Sequence, residues 1–477
     1  MHAPLRTFLF LLSCLILLTL ISFIIPNKGL ILSENIRLKF YNVENLFLNI
    51  DNKKDSVDNI IKEANIIESE ADSAVASQFT VDTLKIKQQL RPLKFDSRFQ
   101  SLIEYPNNNR ALFYSFFQKL QGAGNKSMHI LYYGDSQIEE DRFSGYIREH
   151  LQSAYGGSGS GLCFVMPVAQ WSYPKISYSE NWLKWSCFNL PPKKTEICGP
   201  LAQSFLYEGG AASFTINCNG DNAPAHQCAF NKIKLFYGYA NESVKIKYFN
   251  NNELLLSDSI YSTAIITFKE YPVKYNTSVA FEFSGKSPLI YGVSLENYNK
   301  GVYVDNIALR GSSGTFFNFI QPEMLTQFFN ELNVGLIVLQ FGGNAMPMID
   351  SDGKAIQYGN FIDYQIKILR NINPHIPILF VGPADMSVNE NGEMITHPYL
   401  EKTIDAIRKA VLNNQCAFFD MYKAMGGRNS MPVWVNEGIA AKDYIHFSPV
   451  GARKMATFIY YSLMKDFYNL QEHKNTP

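Results

Sequence analysis

The serine at position 136 lies where a strand should give way to a helix, and an aspartate and a histidine lie close together far downstream. Ser136 follows the apolar stretch 129–133, and Asp443 precedes His446 by three residues just before the last helix. A serine hydroxyl becomes a good nucleophile only when a base removes its proton. His446 can be that base, and Asp443 can hold the other ring nitrogen and fix the tautomer. The pattern predicts nucleophilic catalysis by Ser136.

Two glycine-containing blocks between these points could supply the donors that such chemistry needs. They read Leu309-Arg310-Gly311-Ser312-Ser313-Gly314 and Leu339-Gln340-Phe341-Gly342-Gly343-Asn344. Attack on an ester carbonyl builds negative charge on oxygen, and fixed N–H groups stabilise that charge. We expect the oxyanion-binding donors to be the backbone N–H groups of Ser136 and Gly311 and the side-chain amide of Asn344.

Each block also has a purely structural interpretation. Ser136 could belong to an ordinary strand-to-helix turn, Asp443 could cap a turn, His446 could be a loop histidine, and Asn344 could be a turn residue. Four blocks in this order, each after a predicted strand or before a predicted helix, favour the catalytic interpretation of the set.

Strand and helix patterns place these blocks at one edge of a sheet. Buried strands are predicted at 129–133, 335–341, 376–382 and 416–420. Helices are predicted at 111–120, 141–155, 315–330, 361–371, 399–413 and 448–467. The carboxyl ends of parallel strands meet at the same sheet edge, so the polar residues that follow them should lie together.

Between residues 171 and 300 the pattern changes to apolar residues at every second position. Such segments include Phe214–Cys218, Ile233–Tyr239, Val244–Tyr248 and Val279–Phe283, with Asn- and Gly-rich turns between them. Period-two segments at this spacing predict an antiparallel β-sandwich, inserted after the first strand–helix unit of the α/β domain. Trp171, Trp182 and Trp185 suggest that the sandwich engages a glycan.

The ordered set of four blocks resembles the SGNH (GDSL-like) hydrolase family. The resemblance covers about 106–170 and 302–467, and it implies that Ser136 is the nucleophile, that Asp443 and His446 complete the triad, and that Gly311 and Asn344 serve the oxyanion hole. Ala345 follows Asn344 where many members have an acidic residue. The family fold would be a three-layer, flavodoxin-like α/β domain with a parallel sheet.

The inserted sandwich is similar to the carbohydrate-binding-like module of bacterial peptidoglycan O-acetylesterases. That resemblance implies an O-acetylated peptidoglycan or exopolysaccharide as substrate and no cofactor. A polysaccharide O-acetyltransferase with the same triad is an alternative. A non-catalytic glycan-binding envelope protein is another, although glycan binding alone needs neither a triad nor an oxyanion hole.

The segment Phe8–Ile25 is an uncharged apolar run long enough to span a bilayer, and Pro26 ends it. It predicts a membrane anchor with the catalytic domain outside the cytoplasm, in the periplasm or cell envelope. The expected order is therefore an anchor at 1–28, a polar stalk at 29–105, hydrolase parts at 106–170 and 301–470, and the sandwich at 171–300. Lys and Arg together number 43, as do Asp and Glu, so no excess of positive charge favours nucleic acid.

Further expectations concern the cysteines and other polar residues. In an exported protein Cys187 could pair with Cys198, and Cys218 with Cys228, although small buried thiols are equally compatible with the spacing. No cysteine or histidine cluster has zinc-ligand spacing, so no metal is expected. The sequence predicts structural roles for His129 and Asp135, and pocket-lining roles for Asp385 and His397. Glu139, Glu140 and Asp141 fit the acidic first turn of a helix.

Overall fold

The computed structural model describes residues 100–168, 174–188, 192–193, 195–219, 225–274 and 278–475, and, apart from these, Ile60 and the backbone of a short hairpin, Leu30–Ser33 with Ile36–Leu38. The chain divides into two compact units, 1–62 and 63–477. Phe8–Ile25 and most of the expected stalk lie outside the described residues, so the anchor and stalk stay predictions. Within the described ranges, no helix is both long enough and apolar enough to cross a membrane.

A six-stranded sheet forms the centre of the α/β domain. Its strands lie in the order Val302–Ala308, Met128–Gly134, Val334–Gln340, Ile378–Val381, Ala417–Phe419 and Ile103–Glu104. The first five are parallel and the last is antiparallel. Every residue of Met128–Gly134 and Val334–Gln340 is buried, as expected for parallel strands covered on both faces. The predicted buried parallel strands are confirmed.

The helices that cover this sheet have apolar residues at helical spacing. They are Tyr114–Gln121, Ser144–Tyr155, Pro322–Glu331, Asp352–Ile372, Leu400–Asn413 and Pro449–Asn475, with shorter ones at Met421–Ala424 and Ser430–Asn436. The helix expected over 315–330 begins only at Pro322, a residue suited to a first helical position. Helix Asp352–Ile372 begins nine residues before its predicted start at 361. The side chain of Ser351 caps this earlier start by accepting a hydrogen bond from the Lys354 N–H.

The inserted segment forms two antiparallel sheets, as predicted. One contains Thr267–Pro272, Lys232–Gly238, Leu289–Glu296, Gln203–Tyr207 and Trp182–Ser186 in that order, and Gly161–Cys163 pairs with Leu289–Glu296. The other contains Glu253–Ser262, Ala240–Asn250, Ser278–Ser284, Ala211–Asn217 and Lys175–Tyr178. A short helix, Ala225–Cys228, connects strands of the two sheets.

Aromatic side chains fill the space between the two sheets. Phe281 packs against Tyr248 of the neighbouring strand, with ring centroids 4.9 Å apart, and Tyr248 packs against Tyr271 of the facing sheet at 5.1 Å. Cys218 and Cys228 form a disulfide, whereas Cys187 and Cys198 are free and buried. One of the two candidate cysteine pairs is therefore bonded.

Two domain boundaries differ from the expected ones. Gly161–Cys163 already belongs to a sandwich sheet, ten residues before the expected start at 171, and Ile103–Glu104 joins the α/β sheet before 106. Both strands are two or three residues long. A period-two pattern needs more positions than that, so the sequence alone could not reveal them.

The sandwich and the α/β domain share a hydrophobic core. Phe236 of the sandwich meets Phe328 of helix Pro322–Glu331, with ring centroids 5.2 Å apart. Polar contacts reinforce the junction: Lys234 Nζ donates to Glu331 Oε1 at 2.9 Å, and the Leu162 N–H donates to Asp305 Oδ1 at 2.8 Å. Removing the sandwich would therefore expose the core of the α/β domain.

We predict that Phe328→Ala lowers the free energy of unfolding by about 3–5 kcal/mol, since it removes a buried aromatic ring from the shared core. Sandwich and α/β domain should still unfold in one transition, measured by urea denaturation followed by both tryptophan fluorescence and circular dichroism. Phe361→Ala is the matched control, because Phe361 is 49% exposed whereas Phe328 is 1% exposed. Equal losses in the two variants, or two separate transitions, would contradict a shared core.

Candidate active site

The nucleophile block lies at the carboxyl end of strand Met128–Gly134. The Asp135 side chain accepts a hydrogen bond from the Gln137 N–H at 2.9 Å, and this starts a 3₁₀ turn at Ser136–Asp141. A Cβ at Gly134 would come within 2.9 Å of the Ile138 side chain, so the turn closes tightly only over glycine. The structural role expected for Asp135 is confirmed, and Ser136 stands half-buried at the sheet edge.

Asp443 holds His446 by both of its carboxylate oxygens. Oδ1 accepts the backbone N–H groups of Ile445 and His446 at 2.9 and 3.0 Å, while Oδ2 lies 2.7 Å from His446 Nδ1. One oxygen therefore shapes the turn and the other orients the ring. Tyr444, between them, adopts a left-handed backbone with φ of 59°.

A continuous hydrogen-bond chain connects Asp443 to Ser136. His446 Nε2 lies 2.7 Å from Ser136 Oγ, and Nδ1 of the same ring lies 2.7 Å from Asp443 Oδ2. Burial would raise the pKa of Asp443, but hydrogen bonds from the backbone and ring of His446 and from the Ile445 N–H lower it overall. An ionised carboxylate at neutral pH keeps the proton on Nδ1 and leaves Nε2 as the base.

The second and third blocks meet beside this chain. Asn344 lies in the turn Gly343–Met348, just after strand Val334–Gln340. Its Nδ2 donates to the Ser312 carbonyl at 3.2 Å. Gly311 has a left-handed backbone with φ of 82°. Among the described residues, neither the Ser136 N–H nor the Gly311 N–H donates to a backbone carbonyl. Both are therefore open to an oxygen that needs donors.

The acidic residues after Ser136 do not form a helical first turn. Glu139 has ψ of 157°, and Glu140 and Asp141 have positive φ, so the helix starts only at Ser144. The Glu139 carboxylate accepts two hydrogen bonds from Arg310, both 2.6 Å long. The Asp141 carboxylate pairs with the buried Arg148. Arg310 is 171 residues from Glu139, whereas Arg148 is only seven residues from Asp141 on the following helix. Both carboxylates therefore pair with guanidinium groups instead of lying in the first turn of a helix.

The remaining predicted site residues have structural roles. His129 is buried, with Nδ1 2.8 Å from Asp305 Oδ2, as a structural role requires. Asp385 is fully buried; its carboxylate accepts from the Thr396 hydroxyl at 2.7 Å and from the Met431 N–H at 2.8 Å. Neither Asp385 nor His397 lines the pocket beside Ser136, so that expectation was wrong.

That pocket extends across the carboxyl ends of neighbouring strands. Its walls are mostly apolar, and the polar Asp135, Gln137 and Gln340 complete them; the apolar residues are Phe341, Pro383, Ala384, Met386, Met421 and Ile445, beside Gly343. It borders both the nucleophile turn and the histidine loop. Across the described parts of the chain, no group of three or more His, Cys, Asp or Glu side chains could hold a metal ion.

No family model and no curated protein matches the sequence. A solved structure of a peptidoglycan O-acetylesterase is 20% identical in sequence. The match covers 77% of this chain and 99% of that chain, with a TM-score of 0.61. The chain shares the fold of that esterase. At the level of the fold, the resemblance to SGNH (GDSL-like) hydrolases is confirmed.

Two other solved structures match with much lower scores. An acetyl xylan esterase is 18% identical, and the match covers 34% of this chain and 81% of that chain with a TM-score of 0.25. A family two carbohydrate esterase from Cellvibrio japonicus is 11% identical, and the match covers 62% of this chain and 99% of that chain with a TM-score of 0.23.

Asp135 should make stability depend on pH. Burial raises its pKa to about 6, although hydrogen bonds from Gln137 and Asn344 and the nearby His446 oppose the rise. A raised pKa means that the fold favours the protonated acid, so its stabilising contribution is complete below about pH 4 and is lost as the pH rises to about 6. As the pH rises through that range, the free energy of unfolding of Asp135→Asn should therefore increase by up to about 3 kcal/mol relative to that of the wild type.

Urea denaturation of both proteins between about pH 4 and pH 7 measures this difference. Asp350→Asn is the control, because Asp350 is exposed and its hydrogen bond from Lys354 lowers its pKa. That variant should show no such gain. A difference between Asp135→Asn and wild type that stays constant over the whole range would contradict the raised pKa.

Proposed function

We propose that this protein is a serine esterase that removes O-acetyl groups from a cell-envelope glycan, peptidoglycan or exopolysaccharide, through an acyl-enzyme. The observation that carries the proposal is the hydrogen-bond chain from Asp443 through His446 to Ser136. The shared fold with a peptidoglycan O-acetylesterase supports the same reaction class.

In the proposed first half-reaction, His446 Nε2 takes the proton of Ser136 Oγ while Oγ attacks the acetyl carbonyl carbon. The carbonyl oxygen becomes an oxyanion, stabilised by the N–H groups of Ser136 and Gly311 and by the amide of Asn344. His446 then passes the proton to the sugar oxygen as the ester C–O bond breaks. The sugar leaves as an alcohol, and Ser136 carries the acetyl group.

In the second half-reaction, a water molecule gives a proton to His446 and attacks the acetyl-serine carbonyl. The resulting tetrahedral intermediate collapses, His446 returns the proton to Ser136 Oγ, and acetic acid leaves. Asp443 stabilises the imidazolium in both halves, and its lowered pKa keeps it ionised for that purpose.

The accessibility of the triad supports a polymeric substrate. The side chain of Asp443 is 46% exposed and that of His446 is 32% exposed, so the catalytic face is open to solvent. A glycan chain can cross such a surface without threading through a channel. The mostly apolar pocket beside Ser136 suits a small acyl group such as acetyl.

The placement in the cell envelope is also part of the proposal. The apolar segment Phe8–Ile25 supports a membrane anchor, and the disulfide between Cys218 and Cys228 supports an oxidising compartment. We further propose that the sandwich binds glycan, with Trp182 excluded from direct contact by its burial. Trp182 is buried in the sandwich and donates to the Ser213 carbonyl, Trp185 packs against the shared core, and Trp171 lies outside the described residues.

Acetate release from O-acetylated peptidoglycan and from O-acetylated polysaccharides tests the activity. Each substrate should be assayed with and without a non-acetylated acceptor glycan, alongside a small acetyl ester. Acetate release without an acceptor is the expected result. Acetyl transfer to the glycan in place of release would instead identify an O-acetyltransferase, and no turnover of any acetyl ester would favour a glycan-binding protein.

We predict that Ser136→Ala loses roughly three or more orders of magnitude in kcat, because the nucleophile is gone. Ser136→Ala/His446→Ala should be no less active than either single variant, because the two residues act as one unit. Ser158→Ala is the control, since its hydroxyl only donates to the Ala229 carbonyl. Near-normal turnover by folded Ser136→Ala would reject the assignment.

We also predict that Asn344→Ala lowers kcat by about a hundredfold with little change in KM, since an amide aimed at the developing charge is worth about 3 kcal/mol in the transition state. Asn333→Ala is a matched control: its Nδ2 donates to the Ser127 carbonyl at 2.8 Å, next to the amino end of strand Val334–Gln340. That variant should lose thermal stability but keep kcat. If Asn344→Ala also changed only the thermal midpoint, its role would be structural.

A further inference from the structure

The Gln137 side chain contacts the histidine loop on both sides of His446. Its Nε2 donates to the Ile445 carbonyl at 2.7 Å, and its Oε1 accepts the Phe447 N–H at 3.3 Å. The amide thus binds the backbone immediately before and immediately after the proposed base. Because Gln137 is the next residue after Ser136, the distance from nucleophile to base is set by a very short connection.

Arg142 makes a second connection between the same two segments. Its Nη2 donates to the Ser136 carbonyl at 2.7 Å, and its Nη1 donates to the Phe447 carbonyl at 3.2 Å. Its Nε donates to the Glu139 carbonyl at 2.9 Å, which fixes the guanidinium plane. A planar fork with several donors is suited to bridging two carbonyl groups at once.

Apart from Asp443, which belongs to the loop itself, few contacts restrain the histidine loop near the ring. Lys442 and Asp443 are exposed, and Tyr444, Ile445 and His446 are only half-buried. The left-handed backbone at Tyr444 adds strain of order 1–3 kcal/mol that surrounding contacts must offset. Hydrogen bonds between Ala441 and His446, and from the Ser387 N–H to the Tyr444 carbonyl, shape and hold the loop, but they do not connect it to the nucleophile.

We propose that Gln137 and Arg142 are positioning residues that hold the His446 ring within hydrogen-bond distance of Ser136. Neither side chain touches the reacting atoms. Both bind backbone groups next to His446, and Arg142 also binds the Ser136 carbonyl. This inference rests on the proposed esterase function, because it assigns a purpose to the distance between Ser136 and His446. A displacement of about 1 Å at a catalytic base can lower the rate about a hundredfold.

Gln137→Glu tests the clamp with almost no change in size. The carboxylate still accepts the Phe447 N–H, but it places an oxygen against the Ile445 carbonyl and repels it. We expect kcat to fall at least about tenfold, because the ring is displaced. Gln137 also lines the pocket beside Ser136, so the resonance of the His446 Nδ1 proton, rather than KM, is the second readout. Gln137→Met removes both hydrogen bonds without adding charge, and it should show a similar fall in kcat.

Arg142→Lys tests the second arm, because a single ammonium cannot reproduce the planar fork. Two matched controls lie elsewhere in the fold. Gln365 bridges the Phe317 N–H and Asn318 Oδ1, and Arg370 binds the Asn414 and Gln415 carbonyls just before strand Ala417–Phe419. Gln365→Glu and Arg370→Lys should lower thermal stability but leave kcat unchanged.

The proton on His446 Nδ1 gives a readout that does not require turnover. In the wild type, the short hydrogen bond to Asp443 should give a downfield proton resonance, identified by its loss in His446→Ala. Gln137→Glu and Gln137→Met should shift or broaden it, and the two controls should leave it unchanged. Unaltered kcat together with an unaltered resonance in both folded Gln137 variants would overturn the clamp.

The same experiment separates the two proposals. If Ser136→Ala retained full activity, the proposed function would be wrong, yet the resonance would still report whether Gln137 positions the ring. If Ser136→Ala were inactive while both Gln137 variants behaved as wild type in kcat and resonance, the function would stand and the clamp would be wrong.

Discussion

The geometry of the site depends on a turn that cannot become a helix. Glu140 and Asp141 have left-handed backbones, so the chain after Ser136 changes direction instead of continuing into the next helix. Side chains of successive residues therefore point to different parts of the molecule. Gln137 reaches the histidine loop, and Glu139 reaches Arg310 beside Gly311. One short segment thereby holds two others beside the same hydroxyl.

Burial decides how each carboxylate near Ser136 behaves. Glu139 and Asp141 are buried and each has a guanidinium partner, so their charges are compensated. Asp135 is buried without a paired cation, and its pKa rises to about 6 despite two hydrogen bonds. Asp443 is largely exposed and accepts several hydrogen bonds, so its pKa falls. The pKa values of Asp135 and Asp443 are thus shifted in opposite directions, and the carboxylate that faces the imidazole stays ionised to lower pH.

The inserted sandwich packs against the frame of the site, and Gln227 Nε2 of its short helix donates to Asp141 at the end of the nucleophile turn at 3.1 Å. It shares a hydrophobic core with the α/β domain, and Asp305 of the parallel sheet binds both His129 and the first sandwich strand. This shared core packs against the strands whose carboxyl ends carry Ser136 and Asn344. The catalytic face itself stays open, as the exposure of Asp443 and His446 indicates. A rigid frame with an open face suits chemistry on a large, extended substrate.

The sequence by itself determined the parallel strands, the period-two sandwich and the order of the four blocks, because each depends on neighbours a few residues apart. It also predicted that Ser136, His446 and Asp443 would meet, since Ser136 follows a strand and the other two precede the last helix in the order of the four blocks. Only the tertiary structure decided the partner of Glu139, the buried position of Trp182 and the very short strands at the domain boundaries. Glu139 and Arg310 are 171 residues apart, and they meet only because strand Val302–Ala308 pairs with Met128–Gly134. Such contacts depend on strand order and packing, which no local pattern encodes.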